Sequence, residues 1–235
     1  MASRATGTSP LVYARVAGFG YLTIFAFGIF ANVFALGKLI VSGDATATAD
    51  NIIASETLFR LGIASWIVAY TADLIVTWAL YILLQPVNRS LSLLAAWFRL
   101  VFVAIIGINT LNLFVVLQLA KDADYAQLTL VLNAYAYGET ISFVFFGFHI
   151  LVLGYLIFKS DYLPRILGLL LIVAALGYIV DSFASFISSS YDDNELTFLL
   201  MVAVPAVIAE FSLNLWLLFK GVNVERWKQR ALESA

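Results

Sequence analysis

Apolar residues gather along this chain in six long runs separated by short polar stretches. A helix crossing a hydrocarbon layer about 30 Å thick needs roughly 20 mostly apolar residues at about 1.5 Å each. Six stretches meet that length, near Tyr13–Val41, Thr57–Leu84, Leu91–Ala120, Asn133–Phe158, Ile166–Ile187 and Leu196–Lys220. The fold class expected is therefore all-α: one polytopic six-helix membrane domain over residues 1–235 with a short tail over 221–235. The joints Gln85-Pro86-Val87-Asn88-Arg89-Ser90 and Lys159-Ser160-Asp161-Tyr162-Leu163-Pro164-Arg165 are polar turns carrying helix-stopping prolines. The first run is about twice a secretory h-region, so it reads as a retained span rather than a leader.

Composition agrees: 63% of the 235 residues are hydrophobic, 12% charged, and the mean hydropathy is +0.96, too apolar for a soluble domain of this length. Charge then sets the orientation. Arg4, Arg15, Arg89, Lys159, Arg165, Lys220, Arg226, Lys228 and Arg230 fall on one side, against Lys38 and Lys121 on the other, with Arg60 and Arg99 inside spans. Nine against two predicts both termini in the cytoplasm. The opposite loops carry the acids Asp44, Asp50, Glu56, Asp122, Asp124, Asp192, Asp193 and Glu195. Between the first two spans, Thr48 or Asp50 is placed to cap a short helix that serves as a surface lid or spacer. The tail around Trp227 suits an interfacial amphipathic helix. Tyr13, Tyr81, Trp97, Tyr125, Tyr162, Tyr191 and Trp227 lie at expected membrane boundaries as anchors.

Several chemistries are excluded or disfavoured. No basic block exists for nucleic acid, and the absence of cysteine removes thiolate nucleophiles and thiolate ligands. One histidine leaves zinc short of ligands; haem lacks a second axial ligand, since Met201 near the outer end of the sixth span is badly placed for it; retinal lacks a mid-span lysine. No cofactor, metal or catalytic set is expected.

Six sequence segments carry a likeness to something known: Ala49-Asp50-Asn51-Ile52 with Leu58-Phe59-Arg60-Leu61-Gly62; Leu84-Gln85-Pro86-Val87-Asn88-Arg89; Leu153-Gly154-Tyr155-Leu156; Lys159-Ser160-Asp161-Tyr162-Leu163-Pro164-Arg165-Ile166-Leu167-Gly168; and Gly177-Tyr178. Together they resemble a bacterial family of integral membrane proteins known as domain of unknown function 4386. The likeness runs from about Arg15 to Lys220 without clear departure, and the stretch ending at Gly168 is its most specific part. It implies the bacterial inner membrane and carries no activity, substrate or catalytic residue with it.

Ionisable groups within a bilayer are costly and default to the bundle interior. Arg60 and Asp73 in the second span, Arg99 in the third, Glu139 and His149 in the fourth, Asp181 in the fifth and Glu210 in the sixth are the candidates. Counting from the span ends places His149 and Glu210 roughly 14–15 Å deep, close enough to meet, with Asp73 and Arg99 in the same layer. Glu139, Ser142, Phe146 and His149 form one helical stripe; so do Arg99, Val103, Ile106 and Thr110, flanked by Asn109 and Asn112, and Asn214 follows Glu210 by one turn. Arg99 should pair with Asp73 or Glu210, because an unpaired buried charge is expensive. Trp66, Tyr70 and Trp78 lie deeper than the anchors, either packing or walling a pocket.

Two uses fit these groups. They are interhelical glue, or they line a site where a small molecule, a lipid or protons bind or pass. An intramembrane enzyme using His149 and Glu210 as an acid and base pair on a lipidic substrate is a further alternative, though no nucleophile motif accompanies them; Ser188-Ser189-Ser190 reads as a loop. An accessory subunit without its own ligand is another. The bilayer is the one partner the sequence requires.

Overall fold

The computed structural model describes residues 8–189 and 191–234, apart from the side chains of Asp192 and Glu195. Arg4, Ser190 and the two acidic side chains just named, all invoked above, lie outside that description. Helices account for nearly all of it, with no strand among the described residues. Six are long and apolar enough to cross a membrane: Pro10–Leu39, Glu56–Leu84, Arg89–Lys121, Tyr125–Phe158, Arg165–Ile187 and Leu196–Lys220. They are called the first to sixth spans below.

Each span packs on its neighbour in sequence, and the sixth closes back on the first, so the spans form a ring. Large apolar side chains such as Phe19, Trp97, Ile108 and Val207 are exposed on its outside. In water such a belt would be a liability, whereas against lipid it is the required surface. Where the ring is tightest, side chains are absent: a Cβ on Gly168 would lie 2.5 Å from the Gly154 carbonyl oxygen and 2.6 Å from the Phe158 nitrogen. Small residues let the fourth and fifth spans touch backbone to backbone, the usual means of tight association where water provides no drive.

The two chain ends share one face, the terminal face. There the Arg15 guanidinium donates to the Phe219 carbonyl (2.9 Å), and a final helix, Val224–Glu233, lies across the joints. Trp227 Nε1 and the Tyr162 hydroxyl each donate to the Leu83 carbonyl at 2.8 Å. Tyr162 is buried, so it is a latch inside the protein rather than the interfacial anchor its position suggested. Ser160 Oγ donates to the Ile157 carbonyl (2.8 Å), and Arg165 pairs with Asp161 (3.3 Å).

The opposite, distal face departs more from expectation. The helix between the first two spans is Ala45–Ala54, capped by Asp44, whose carboxylate accepts from the Ala47 amide (2.9 Å). Neither Thr48 nor Asp50 caps it. Thr48 is buried, accepting from the Val41 amide (2.9 Å) and donating to the Val41 carbonyl (3.2 Å). The helix is no loose lid: Ala49 and Ile52 are fully buried in a second apolar core with Phe59, Leu113 and Leu128. The fourth span begins at Tyr125 rather than Asn133, because Asp124 caps it, accepting from the Gln127 amide (3.2 Å). At 34 residues it reaches about 50 Å, far longer than the hydrocarbon core, and its extra turns form a wall outside it.

Candidate functional site

Two sets of polar groups occupy the interior. The first is built on the second and third spans. Asp73 and Arg99 form the buried ion pair, through both Nε and Nη2 of the guanidinium. Nη1 of Arg99 donates to the Tyr21 hydroxyl (2.9 Å) and lies 3.0 Å from His149 Nε2. His149 Nδ1 is 2.8 Å from the Ala95 carbonyl oxygen. A carbonyl only accepts, so Nδ1 carries the hydrogen and Nε2 is the acceptor for Arg99, which makes His149 a neutral imidazole of defined tautomer. The guanidinium also lies over the Tyr21 and Phe146 rings, at 5.1 and 5.6 Å. Four spans thus meet at one arginine, which is 1% exposed.

The second set lines a cavity of about 160 Å³ at the centre of the ring. Every span contributes: Tyr21 and Phe25 from the first, Trp66, Ala69 and Asp73 from the second, Arg99 and Phe102 from the third, Glu139, Phe143 and Phe146 from the fourth, Tyr178 from the fifth and Glu210 from the sixth. Tyr178 donates its hydroxyl to Glu210 (2.9 Å) and stacks on Phe143. Among the described residues neither Glu210 nor Glu139 has a cationic partner. Among the described residues the buried Trp66 indole nitrogen and the buried side-chain amide of Asn214 have no hydrogen-bond partner.

Above the cavity, at the distal face, a larger vestibule of about 570 Å³ opens between the end of the first span and the extended fourth span. Its lining includes Asn32, Gly37, Asp44, Asn133, Tyr135 and Glu139. The first span adopts π-helical winding over Phe30–Leu36 along this wall, the kind of local widening that recurs at functional sites. Glu139 lines both vestibule and cavity.

The structure gathers some of the expected candidates and scatters others. Asp73, Arg99, Glu139 and Glu210 come together on the cavity. His149 sits behind Arg99 rather than on it, and with both nitrogens engaged it does not form the expected pair with Glu210. Ser142 is buried with its hydroxyl on the Glu139 carbonyl (2.6 Å). Asn109 donates to the Tyr135 carbonyl (2.8 Å) and accepts from Asn112 (2.9 Å), joining the third and fourth spans. Asp181 accepts from Tyr191 (2.8 Å) near the distal end of the fifth span. Arg60 departs from the interior placement altogether: it is exposed at the distal rim, paired with Glu56 (2.7 Å), which also takes Lys121 (2.8 Å). Tyr21 and Tyr178 were missed; the available signal was a tyrosine in mid-span, away from the interfaces where that residue normally sits.

A ring of six apolar helices enclosing a polar centre defines a multi-pass helical membrane protein. The chain belongs to a family described only as a domain of unknown function, DUF4386, whose model matches residues 16–221. It is similar to an uncharacterized protein of the archaeon Archaeoglobus fulgidus, 34% identical over 149 residues, which are 63% of this chain and 76% of the relative. No solved structure matches this chain.

Proposed function

We propose that this protein binds a small molecule in the cavity at the centre of its ring of spans. The observation carrying this reading is that all six spans contribute side chains to one space lined by acidic and aromatic residues. Packing of bundles tends to eliminate such spaces, since a void forfeits contacts on every side. At about 160 Å³ the space is well above the ~15 Å³ a single water requires and below the ~300–1,000 Å³ of pockets for drug-sized ligands. A small organic molecule fits that range better than a lipid with its acyl chains. The test is native mass spectrometry with small-molecule analysis of the purified protein, comparing wild type with Ala69→Leu, which fills the cavity. A species retained by wild type and missing from the equally stable variant is the expected result; an empty wild type would sink the proposal.

We further propose that the protein lies in the cytoplasmic membrane with its terminal face inside. Supporting this, moving Arg60 to the distal rim makes the balance of Lys and Arg nine against three, still strongly one-sided. The chain has no cysteine, so single cysteines report cleanly. In intact cells an impermeant maleimide should label Ser42→Cys and spare Ser234→Cys; the reverse pattern would invert the topology.

A further inference from the structure

Acidic side chains outnumber basic ones around the cavity, three to one. Asp73 and Arg99 cancel each other, which leaves the carboxyl groups of Glu139 and Glu210 facing the same space without a cation. Arg99 has little left with which to hold an anionic ligand. Of its five N–H groups, one on Nε and one on Nη2 engage Asp73, and the two on Nη1 go to Tyr21 and His149, which leaves a single N–H on Nη2 without a partner among the described residues. The rest of the lining is mostly aromatic, with Phe25, Trp66, Phe102, Phe143, Phe146 and Tyr178 beside the aliphatic Ile24 and Ile106. Carboxylates beside stacked aromatic faces are the chemistry that recognises organic ammonium ions, through ion pairing and cation–π attraction together.

We infer that the cavity takes a small organic ammonium ion, which enters from the distal vestibule past Glu139. The inference rests on the reading of the cavity as a ligand site and adds the class of ligand and its route. Glu139 is the group common to both spaces, so an entering cation meets it first and reaches Glu210 within. An ionised carboxylate in a low-dielectric interior is costly alone and favourable once a cation sits against it. The occupant therefore supplies a counter-charge to one of the two acids, Glu210 within the cavity.

The experiment uses the full chain in detergent or nanodiscs with three probes of nearly equal shape: choline, its neutral carbon isostere dimethylbutanol, and the anion dimethylbutanoate. Binding is read by calorimetry and by the shift in thermal unfolding followed through tryptophan fluorescence. Choline is expected to bind and raise the unfolding temperature while the other two do not. Its affinity should fall about tenfold or more, some 1.4 kcal/mol, in Glu210→Gln and in Glu139→Gln, both of which keep the side-chain shape. If the neutral isostere binds wild type as tightly as choline, or if choline binding survives both substitutions, the ammonium class is wrong. An absence of binding by all three overturns it too. Ala69→Leu separates the two levels. A neutral or anionic species that is lost on filling the cavity preserves the ligand site and removes only the cation; an empty wild-type cavity removes both.

Discussion

The cluster around Arg99 and the carboxyl groups of Glu139 and Glu210 occupy the same interior and are built on opposite terms. In the cluster, each guanidinium nitrogen has a partner within the protein. Asp73, Tyr21 and His149 surround the guanidinium, and the Ala95 carbonyl fixes His149 in turn. On the other side of the cavity, Glu210 has one tyrosine hydroxyl and no cation, and Glu139 has no cation either. Buried polar groups that are fully matched fix the positions of the helices; those left short are what a ligand can complete. The contrast separates groups that hold the ring together from groups that wait on a partner, and both kinds were indistinguishable as a list of intramembrane charges.

The largest effect should come from breaking the matched cluster. Asp73→Ala leaves the Arg99 charge buried at 1% exposure with no counter-charge, and one-sided removal of a buried pair costs about 3–5 kcal/mol. The variant is expected to unfold at a much lower temperature, or to fail to accumulate. Replacing both members by apolar residues, Asp73→Leu with Arg99→Met, should recover much of that loss, since it is the uncompensated charge and not the missing bond that dominates. His149→Ala removes only a neutral acceptor and some packing, for a cost of about 2 kcal/mol. An Asp73→Ala protein as stable as wild type would erase the distinction between the two sets.

How far the sequence reached follows the same division. Periodicity placed the Arg99, Val103, Ile106 and Thr110 stripe correctly, and all four are buried, because a buried face repeats with the helix itself. It narrowed the Arg99 partner to Asp73 or Glu210 and went no further. Depth along a helix is countable from residue numbers, whereas rotation about its axis relative to another helix is set by packing. The distal end was read less well. Tyr125-Ala-Gln-Leu-Thr-Leu looks too polar for a span, yet it is helical, because the Asp124 cap and the buried Leu128 hold it in place outside the apolar layer. Arg60 was assigned to the interior by counting alone; two acidic bonds to Glu56 hold this rim together instead. The segment from Lys159 to Gly168, the most specific part of the family resemblance, resolves into structural duties. Ser160 closes the turn, Tyr162 latches onto Leu83, Arg165 pairs with Asp161, and Gly168 meets Gly154. That the most distinctive motif is architectural explains why it carried no activity with it.

The smallest change in stability is expected where the functional effect is greatest. In Glu210→Gln the new amide oxygen still accepts from Tyr178, so the one hydrogen bond of this side chain is kept. What disappears is the ionised form, which in the empty cavity has no cation to offset its removal from water. The ligand-free variant should therefore match wild type within about 0.5 kcal/mol or exceed it, the reverse in sign of Asp73→Ala, when the two are compared by thermal unfolding under identical conditions. Such neutrality would mean that Glu210 contributes nothing the empty fold requires, leaving occupancy of the cavity as the reason for a carboxyl group there. A loss as large as that of Asp73→Ala would instead place Glu210 among the groups that hold the ring together, and the cavity would lose the residue that most clearly asks for a ligand.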